Sequence, residues 1–383
     1  METNTKQIND EFGPEYVIEV YNPGIGMRGF LVIDNTVFGP GKGGMRMTEN
    51  VTAEEVFRLA RAMTLKNALA EIPFGGAKSG IVWKGGSDQK KKAYIRAFAE
   101  KVKPFTPKYY ISAPDINVGE KEMRWFTETI GIWQATTGKP ADMCIKSPDG
   151  TKKLCGIPHE YGSTGFGVAH ATRIAAARVG FNPPNTTVAI QGFGNVGSFT
   201  FKYLAGMGFK IVAVSDKDAA VYDKNGLDNK KLLEIMEKRQ SLVFYAKDRQ
   251  IERDKLLELP VDILIPAAVT DAIHEGNKDK VLAKVIVEAA NIPMREYIHE
   301  ELWQKGILIV PDIAANAGGV ISSYVEYKGY DPKNVFNLIE EKIVKSTELV
   351  LEKSKVCGIS PRQAAFEIAK ERLLAKQKEK CKP

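Results

Sequence analysis

The sequence predicts a two-domain α/β protein, and three observations lead to that prediction. The chain has 383 residues, which is long enough for two hydrophobic cores. Its second half alternates short apolar runs with amphipathic stretches, the pattern of a mostly parallel sheet covered by helices. A glycine-rich turn, GFGNVG at residues 192–197, joins one of these apolar runs to a helix. We therefore expect an N-terminal α/β domain followed by a doubly wound domain.

The first half is predicted to contain strands, turns and two long helices. Thr52 and Glu55 form a capping-box pattern that predicts a helix ending near Ala70. The other elements are expected in this order: strands at 16–20 and 29–34, a glycine turn at 75–76, a strand at 81–83, a helix at about 90–102 and a strand at 109–112. Residues 139–162 are rich in Pro, Gly and Lys and lead into the second domain.

The second half is predicted to open with an alanine-rich helix from Ser163 to Gly180. Strands are expected at 187–191, 210–215, 261–265, 284–288 and 307–310, and helices at 199–207, 230–239, 321–327, 332–355 and 362–376. The predicted domains are residues 1–155 for substrate binding and oligomerisation and 156–360 for nucleotide binding. The helix at about 361–383 is expected to pack back on the first domain.

Composition and charge exclude several classes of protein. Apolar residues make up 44% of the chain and charged residues 26%, as in an ordinary globular protein. The net charge of +7 is spread over interspersed Lys and Glu, which does not predict a nucleic-acid-binding face. No apolar run is long enough for a membrane span, and the first residues are polar. We expect a cytoplasmic enzyme that binds neither membranes nor nucleic acid.

The cysteines give no recognisable framework. Cys144, Cys155, Cys357 and Cys381 form no C-x-x-C pair. Cys155 and His159 are spaced like two ligands on one helical face, but two groups are only half of a zinc site. The sequence therefore predicts neither a bound metal nor a disulfide framework.

The glycine-rich turn predicts a dinucleotide site. Glycines here permit a tight turn and let the pyrophosphate approach backbone N–H groups at the helix N-terminus. The residues concerned are Gly192, Phe193, Gly194, Asn195, Val196 and Gly197. Asp216 follows the next predicted strand at about the spacing of an acid that binds the ribose, which favours NAD. Lys217 beside it could instead serve a 2′-phosphate, so NADP remains possible.

Lysines in unusual positions predict an anionic substrate. Lys66 lies on the same helical stripe as Met63, where a charge is costly unless an anion meets it. Lys42 and Lys78 lie in glycine-rich segments. Asp115 follows the strand at 109–112, at the edge of a sheet where α/β proteins bind ligands.

These motifs, taken together, resemble the Glu/Leu/Phe/Val (amino-acid) dehydrogenases, and among them the glutamate enzymes most. The matching segments are GPGKGGMR at 39–46, MTLKNA at 63–68, PFGGAK at 73–78, APD at 113–115, GFGNVG at 192–197, PD at 311–312 and NAGGV at 316–320. The resemblance implies reversible, NAD(P)-dependent oxidative deamination of an L-amino acid to a 2-oxo acid and ammonia. It also implies an active site in the cleft between the domains and a homohexamer, although octamers and dimers occur in the family.

The resemblance also implies roles for individual residues. Lys78 corresponds to the catalytic lysine that activates water and polarises the carbonyl, and Asp115 to the carboxylate that exchanges a proton with the amino nitrogen. Lys66 corresponds to the partner of the α-carboxylate, and Asn316 to a residue that holds the α-amino acid group. Met63 belongs to the same substrate-binding set.

Substrate choice is expected to depend on the side-chain pocket. Lys42 and Ser323 match the two contacts that glutamate enzymes make with the γ-carboxylate, so the expected ligands are L-glutamate, 2-oxoglutarate and ammonium. A leucine-, valine- or phenylalanine-type enzyme is the alternative, and a non-catalytic regulatory homologue is a more remote one. Thr164, Asn195 and Asn291 match positions near the nicotinamide and its ribose. The chain departs from the family pattern at Ala289, where glycine is usual, and in HEYGSTG at 159–165.

Overall fold

The computed structural model of the chain describes residues 10–147, 150–151, 153–158 and 162–380. These residues form two compact units. The first unit is formed by the described residues of Met1–Tyr161, Val320–Val335 and Ala369–Pro383. The second is formed by Gly162–Gly319 and Phe336–Ile368. The sequence places residues 320–335 in the second domain, but the structure places them in the first unit. It also places 361–368 in the second unit, although the whole helix at 361–383 was expected to pack on the first.

Fourteen strands are described: β1 (Tyr16–Asn22), β2 (Met27–Asn35), β3 (Gly41–Thr48), β4 (Gly75–Val82), β5 (Tyr110–Ala113), β6 (Cys144–Lys146), β7 (Lys153–Cys155), β8 (Thr187–Gln191), β9 (Lys210–Ser215), β10 (Ala220–Tyr222), β11 (Gln250–Ile251), β12 (Ile263–Pro266), β13 (Val285–Val287) and β14 (Leu308–Val310). The described helices are α1 (Ala53–Leu69), α2 (Asp88–Val102), α3 (Glu120–Ile130), α4 (Ser163–Arg178), α5 (Asn195–Gly206), α6 (Asn229–Glu237), α7 (Glu296–Gln304), α8 (Asp312–Ala315), α9 (Gly318–Lys328), α10 (Val335–Cys357) and α11 (Pro361–Lys380). In the part of the chain that the structure describes, no helix has the length and apolar character needed to cross a membrane.

The first unit contains a five-stranded mixed sheet in the order β1-β2-β4-β3-β5. β3 is parallel to both β4 and β5, whereas β1 and β2 run antiparallel to their neighbours. The apolar side chains of α2 and α3, including Phe98 and Phe126, pack with Met45 and Tyr110 of the sheet in one core. The carboxyl ends of the three parallel strands therefore meet at one edge, where β5 leads directly to Asp115.

Glycines in β3 and β4 bring the sheet unusually close to its neighbours. A Cβ added at Gly76 would lie 2.0 Å from Thr64 Oγ1 and 2.3 Å from Thr64 N of helix α1, and one at Gly43 would lie 1.7 Å from Ala77 O. The expected turn at 75–76 is therefore wrong, because β4 already begins at Gly75. Here the glycines make room for the neighbouring backbone within a strand, rather than providing a reversal of the chain.

Helix α1 begins as the sequence predicts, but only half of the capping box forms. The Thr52 side chain accepts a hydrogen bond from Glu55 N at 3.2 Å. The Glu55 carboxylate accepts instead from the Arg46 guanidinium of β3. The Arg46 guanidinium thus takes the place of the Thr52 backbone N–H as the donor to the Glu55 carboxylate.

The second unit contains a seven-stranded sheet in the order β11-β10-β9-β8-β12-β13-β14. The five neighbouring strands β9, β8, β12, β13 and β14 are parallel, which confirms the expected doubly wound sheet. The antiparallel strands β10 and β11 at one edge were not expected, because runs of three and two residues carry no readable alternation. β8 lies between β9 and β12, so the chain reverses its order of strands beside β8.

The second half of α11 packs within the first unit. Ala369 and Leu373 join Phe12, Val37 and Ala68 in a small apolar cluster. Arg372 Nη1 donates to the carbonyls of Ala68 and Leu69 at 3.1 and 2.7 Å, at the carboxyl end of α1. A cation at a helix C-terminus satisfies carbonyls that have no partner within the helix.

Strands β6 and β7 form a hairpin closed by a disulfide. Cys144 and Cys155 are direct cross-strand partners, and their Sγ atoms are bonded at 2.07 Å. The expectation of no disulfide was wrong, because the hairpin register and not a sequence motif brings the pair together. Cys357 is free and exposed. His159 and Cys381 lie outside the described residues.

A first prediction concerns the close contact between β4 and α1. Gly76→Ala would place a methyl group against the backbone of Thr64, so the free energy of unfolding should fall by about 1–3 kcal/mol or more. Gly206→Ala is the matched control, because its Cβ would meet nothing within 4 Å near the end of α5 and alanine favours a helix. Urea denaturation of both variants measures the difference, and an unchanged midpoint for Gly76→Ala would contradict this packing.

Candidate active site

Asp115 is the centre of a buried charged cluster in the first unit. Its Oδ2 lies 2.8 Å from Lys78 Nζ and 3.0 Å from Arg46 Nε. Burial raises the pKa of the Asp115 carboxyl, but the charges of Lys78 and Arg46 outweigh burial and lower the pKa to about 2. Asp115 is therefore ionised at every physiological pH.

One carboxylate oxygen of Asp115 stays open to a ligand. Both cations bind Oδ2, and among the described residues no hydrogen bond or ion pair reaches Oδ1. The Asp115 side chain is 13% exposed to solvent. An ionised carboxylate oxygen with unused acceptor capacity can receive an N–H donor or a proton from a substrate.

Strand register explains why these groups meet. Gly44 of β3 pairs with Ala113 of β5, and Met45 pairs with Ser79 of β4. The residues that follow β5 are therefore level with Lys78, and a Cβ added at Gly44 would lie only 2.8 Å from the Asp115 Cβ. Only glycine at position 44 lets Asp115 come this close to the sheet.

Lys42 of β3 is buried without a compensating partner. Its side chain belongs to a residue that is 2% exposed, and no described residue forms a hydrogen bond or ion pair with its Nζ. Burial, followed by the charges of Lys78 and Lys66, lowers the pKa of Lys42 to about 7, although Glu326 opposes this shift. Binding of an anion beside Lys42 would restore its charged form.

Helix α1 supplies the third lysine of the group. Lys66 is buried, and its charge acts on Lys42, so the structure gathers Lys42, Lys66 and Lys78 in one region. Met63, one turn earlier, is also buried, and its Cγ lies 3.4 Å from the position of a Cβ on Gly43. The predicted helical stripe therefore does face β3, as its spacing implies.

Helix α9 contributes a buried carboxylate that the sequence interpretation missed. Glu326 Oε1 lies 2.7 Å from Lys139 Nζ, and its Oε2 accepts from Gly138 N at 2.7 Å. Lys139 Nζ also lies 4.2 Å from the ring centroid of Trp133. Ser323 is buried one turn before Glu326. The three-residue spacing from Ser323 could have indicated Glu326, whereas nothing periodic surrounds Lys139.

In the second unit, the turn between β8 and α5 has the geometry that a pyrophosphate requires. Gly192 has φ +98°, where only glycine is relaxed, and a Cβ at Gly197 would lie 1.8 Å from Gly192 O. A Cβ at Gly194 would meet nothing within 4 Å, so this glycine faces open space. Asn195 begins α5, Val196 follows in its first turn, and Phe193 packs on Phe201 with ring centroids 5.6 Å apart. These residues fit a dinucleotide at the helix N-terminus.

A cavity of about 820 Å³ adjoins this turn at the carboxyl ends of β8, β9 and β12. Asp216 and Lys217 line it, directly after β9 as the sequence predicts. The Asp216 carboxylate accepts hydrogen bonds from Asp218 N, Ala219 N, Ser241 Oγ and Leu242 N. This half-buried carboxylate therefore holds two loops together at the edge of the cavity.

Asn291 and Asn316 lie together in the second unit. Asn316 Nδ2 donates to Asn291 Oδ1 at 3.2 Å and lies 3.2 and 3.3 Å from the carbonyls of Ala289 and Ala290. Thr164 opens α4 close by, since a Cβ at Gly318 would lie 3.2 Å from the Thr164 Cα. The residue expected to hold the substrate is thus placed with those expected near the nicotinamide.

A buried ionic group lies behind these asparagines. Arg362 Nη2 of α11 binds Glu288 Oε2 at 2.9 Å and Asp312 Oδ1 at 3.0 Å, and Asp312 Oδ2 accepts from Ile292 N. Burial raises the pKa of Glu288 to about 7, although Arg362 opposes the shift. Burial and then Arg362 lower the pKa of His299 to about 3, so this histidine is neutral. The group fixes the loop at 289–292, and no sequence motif indicated Arg362.

Comparisons with known proteins agree with this arrangement. A family model described as Glutamate/Leucine/Phenylalanine/Valine dehydrogenase matches residues 155–380, and one described as Glu/Leu/Phe/Val dehydrogenase, dimerisation domain, matches residues 14–131. The chain is 37% identical over 363 residues to a glutamate dehydrogenase of Aeropyrum pernix, with 90% of this chain and 84% of that protein covered. It is 41% identical over 306 residues to an NADP-specific glutamate dehydrogenase of Saccharolobus shibatae, with 76% and 69% covered.

A solved structure shows the same fold. The hetero-hexameric glutamate dehydrogenase of Thermus thermophilus, in a leucine-bound form, matches with a TM-score of 0.84 at 25% identity, covering 97% of this chain and 91% of that one. The family models together span most of the chain, and the relatives match it across both units. The chain therefore belongs to the Glutamate/Leucine/Phenylalanine/Valine dehydrogenase family of amino-acid oxidoreductases.

Proposed function

We propose that the protein catalyses the reversible NAD(P)-dependent oxidative deamination of L-glutamate to 2-oxoglutarate and ammonia. The buried amine of Lys42 is the observation that favours glutamate over an apolar amino acid, because no described residue forms an ion pair with it. Against an apolar side chain, Lys42 would either keep its charge at a cost of roughly several kcal/mol or lose its proton and leave a buried amine without a described hydrogen-bond partner. A substrate with a second carboxylate would remove that cost.

In this proposal the first unit holds the two carboxylates of the substrate. Lys66 binds the α-carboxylate, and Lys42 with Ser323 binds the γ-carboxylate. All three residues are buried, so their contacts with an anion would form away from bulk water and would be strong. Glu326, in its pair with Lys139, opposes the loss of the proton from Lys42.

Lys78 and Asp115 would move the protons. Asp115 Oδ1 takes a proton from the amino nitrogen, and Lys78 polarises the carbonyl or directs the water that attacks the imine. Because Lys78 Nζ and Asp115 Oδ2 are 2.8 Å apart, a proton can pass between them without movement of either backbone. Arg46 remains charged and keeps Asp115 in place. The bound dinucleotide supplies a nicotinamide that accepts or donates the hydride.

The second unit would bind this dinucleotide through the turn at 192–197, with Asn195 and Asn291 near the nicotinamide and its ribose and Thr164 beside them. Asn316 would help to hold the α-amino acid group. The Thermus thermophilus relative is described as hetero-hexameric, and for this chain we propose a homohexamer. The proposal includes a cytoplasmic location, which cell fractionation can test.

An enzyme for leucine, valine or phenylalanine is the competing function within the family. It would leave Lys42 without a partner, which is why we favour glutamate. A non-catalytic homologue would have no use for the proton-transfer pair, whereas both Lys78 and Asp115 are present and in contact.

Removal of either member of the proton-transfer pair should abolish most turnover. Lys78→Ala and Asp115→Asn should each lower kcat by about 10²- to 10⁴-fold, because general acid–base catalysis contributes that much. The near-ultraviolet absorbance of the reduced cofactor measures amination of 2-oxoglutarate. Lys84→Ala, an exposed lysine just past β4, is the matched control and should leave kcat unchanged. Full turnover by Lys78→Ala would refute its catalytic role.

Substitution of Lys42 should change substrate preference. Lys42→Leu should lower kcat/KM for 2-oxoglutarate by about 10²- to 10³-fold, as expected for loss of a buried charged contact of about 3–4 kcal/mol. It should improve use of 2-oxoisocaproate, because the apolar side chain no longer meets an ammonium group. Amination of both oxo acids is measured under identical conditions. An unchanged ratio of the two kcat/KM values would mean that Lys42 does not contact the substrate side chain.

Binding of a dicarboxylate should weaken as pH rises above neutrality. The pKa of Lys42 is about 7 in the substrate-free protein, so Lys42 carries its charge below pH 7 and loses it above. The dissociation constant of glutarate, an unreactive dicarboxylate, should therefore rise by up to about tenfold per pH unit on the alkaline side. Calorimetric titration measures it, with Lys42→Leu as the reference that lacks this pH dependence. A flat profile in the unsubstituted protein would contradict the assignment.

A further inference from the structure

A single arginine joins two neighbouring strand ends in the second unit. Glu288 directly follows β13, and Asp312 follows β14 after one residue. Arg362 Nη2, from the first turn of α11, lies 2.9 Å from Glu288 Oε2 and 3.0 Å from Asp312 Oδ1. The two carboxylate side chains are 0% and 2% exposed, so the cation between them offsets a repulsion that water cannot screen. Arg362 therefore holds the carboxyl ends of β13 and β14 in one arrangement.

Asp312 uses both of its carboxylate oxygens in this arrangement. Oδ1 accepts from Arg362, and Oδ2 accepts a hydrogen bond from Ile292 N at 3.0 Å. The backbone carbonyl of Asp312 accepts from Asn316 N, also at 3.0 Å. Asp312 therefore connects Arg362 with the loop at 289–292 and with Asn316.

The backbone of Ile292 has a conformation that needs this support. Its φ is +50°, in the left-handed region that β-branched residues rarely adopt. Its N–H donates to Asp312, and its carbonyl accepts from Asp271 N at 3.0 Å. A strained conformation persists where the surrounding contacts over-determine it. The direction of Asn291, the residue before, depends on this conformation.

The loop that carries Asn291 adjoins residues that line the dinucleotide cavity. Two backbone N–H groups of this loop donate to the carbonyl of Pro266, at the end of β12, at 3.1 and 2.9 Å. Thr270 Oγ1 donates to the Asn291 carbonyl at 3.1 Å. Residues 267–269, between these two contacts, line the cavity. The loop therefore lies beside the cavity, at the carboxyl edge of the parallel strands where doubly wound sheets bind ligands.

We propose that Arg362 is a positioning residue of the dinucleotide site, which sets the place of the Asn291 carboxamide at the nicotinamide end of the cofactor without touching the cofactor itself. This inference rests on the proposed function and adds to it a residue far from the dinucleotide motif in sequence. The path runs from the guanidinium through the Asp312 carboxylate to Ile292 N, and both contacts are 3.0 Å long. Loss of the guanidinium would set two buried carboxylates against each other, and Ile292 would lose the fixed acceptor that maintains its conformation.

Binding of whole and truncated cofactors to the full-length protein tests this inference without any turnover. The probes are NADH and NADPH, together with the matching fragments that lack nicotinamide, ADP-ribose and 2′-phospho-ADP-ribose. Arg362→Met should raise the dissociation constant of the dinucleotide by about tenfold, as expected for loss of one well-placed hydrogen bond at the nicotinamide end. The dissociation constant of the fragment should change by less than about twofold, because the fragment makes no contact at that end. Arg178→Met, which breaks an exposed ion pair with Glu352 in the same unit, is the matched control and should change neither.

Two further variants separate positioning from a general loss of structure. A single nitrogen of Arg362 contacts both carboxylates, so the ammonium group introduced by Arg362→Lys should recover most of the dinucleotide affinity that Arg362→Met loses. Asp312→Asn has one acceptor oxygen for two donors and should show the same selective weakening as Arg362→Met. Combining Asp312→Asn with Arg362→Met should add little, because both act through one path. Thermal denaturation confirms that each variant is folded.

The opposite results are equally clear. Equal weakening of the dinucleotide and of its fragment would mean that Arg362 only stabilises the domain, and would overturn the proposal. Unchanged binding of both by Arg362→Met would overturn it as well.

Failure of this inference can be distinguished from failure of the proposed function. Amination of 2-oxoglutarate by the unsubstituted protein, together with unchanged dinucleotide binding by Arg362→Met, would keep the function and reject the positioning role. Selective weakening of dinucleotide binding in a protein that does not aminate 2-oxoglutarate would keep the positioning role and reject the function. Absence of dinucleotide binding by the unsubstituted protein would reject both.

Discussion

The close approach of β4 to helix α1 and of β3 to β4 is the constraint on which the arrangement of charges in the first unit depends. A Cβ at Gly76 would collide with the Thr64 backbone of α1, and a Cβ at Gly43 would collide with the Ala77 carbonyl of β4. Both contacts are therefore possible only because these positions lack a side chain. The short separation brings Lys66 of the helix near Lys42 of the sheet. Glycine at 44 likewise admits Asp115. The glycines thus allow the charged side chains of Lys42, Lys66 and Asp115 to lie close together.

Burial disfavours the charged form of both Asp115 and Lys42, but the neighbouring charges give the two residues opposite outcomes. Asp115 is nearly buried and yet fully ionised, because Lys78 and Arg46 compensate for the loss of water. Lys42 is also buried, but burial and the charges of Lys78 and Lys66 outweigh the opposing charge of Glu326, and its pKa falls to about 7. An anion bound beside Lys42 would therefore restore its charge, whereas Asp115 is already charged without a ligand.

Much of the fold could be predicted from the sequence, since strands β8 and β9 carry apolar runs with clear boundaries and α1 carries a Thr52 cap. The segments at 41–48 and 75–82 were harder, because glycine is the signal of a turn and gives no apolar alternation even inside a strand. The Cys144–Cys155 bond depends on the register of a three-residue hairpin, which spacing alone does not reveal.

Site residues followed the same division. Lys42, Lys66 and Lys78 each stand in a motif of six to eight residues, and Asp115 ends the short segment APD after a strand; the fold brings these four residues together. Glu326, Lys139 and Arg362 could not be predicted, because their significance lies in partners distant in sequence.

The contrast between Asp115 and Asp216 shows why a residue's position in a motif does not determine its role. Each carboxylate follows the carboxyl end of a strand, the edge at which α/β sheets commonly bind ligands. Lys78 and Arg46 both bind Oδ2 of Asp115, and no described residue donates to Oδ1. Both oxygens of Asp216, in contrast, accept hydrogen bonds from its own chain. Asp115 therefore has an oxygen with unused acceptor capacity, which the proposed proton transfer requires, whereas Asp216 joins the loop at 216–219 to the loop at 241–242. Acceptor capacity is fixed by three-dimensional contacts, so an acidic residue at the expected position of a nucleotide motif can have a structural role instead of a free oxygen for a ribose hydroxyl.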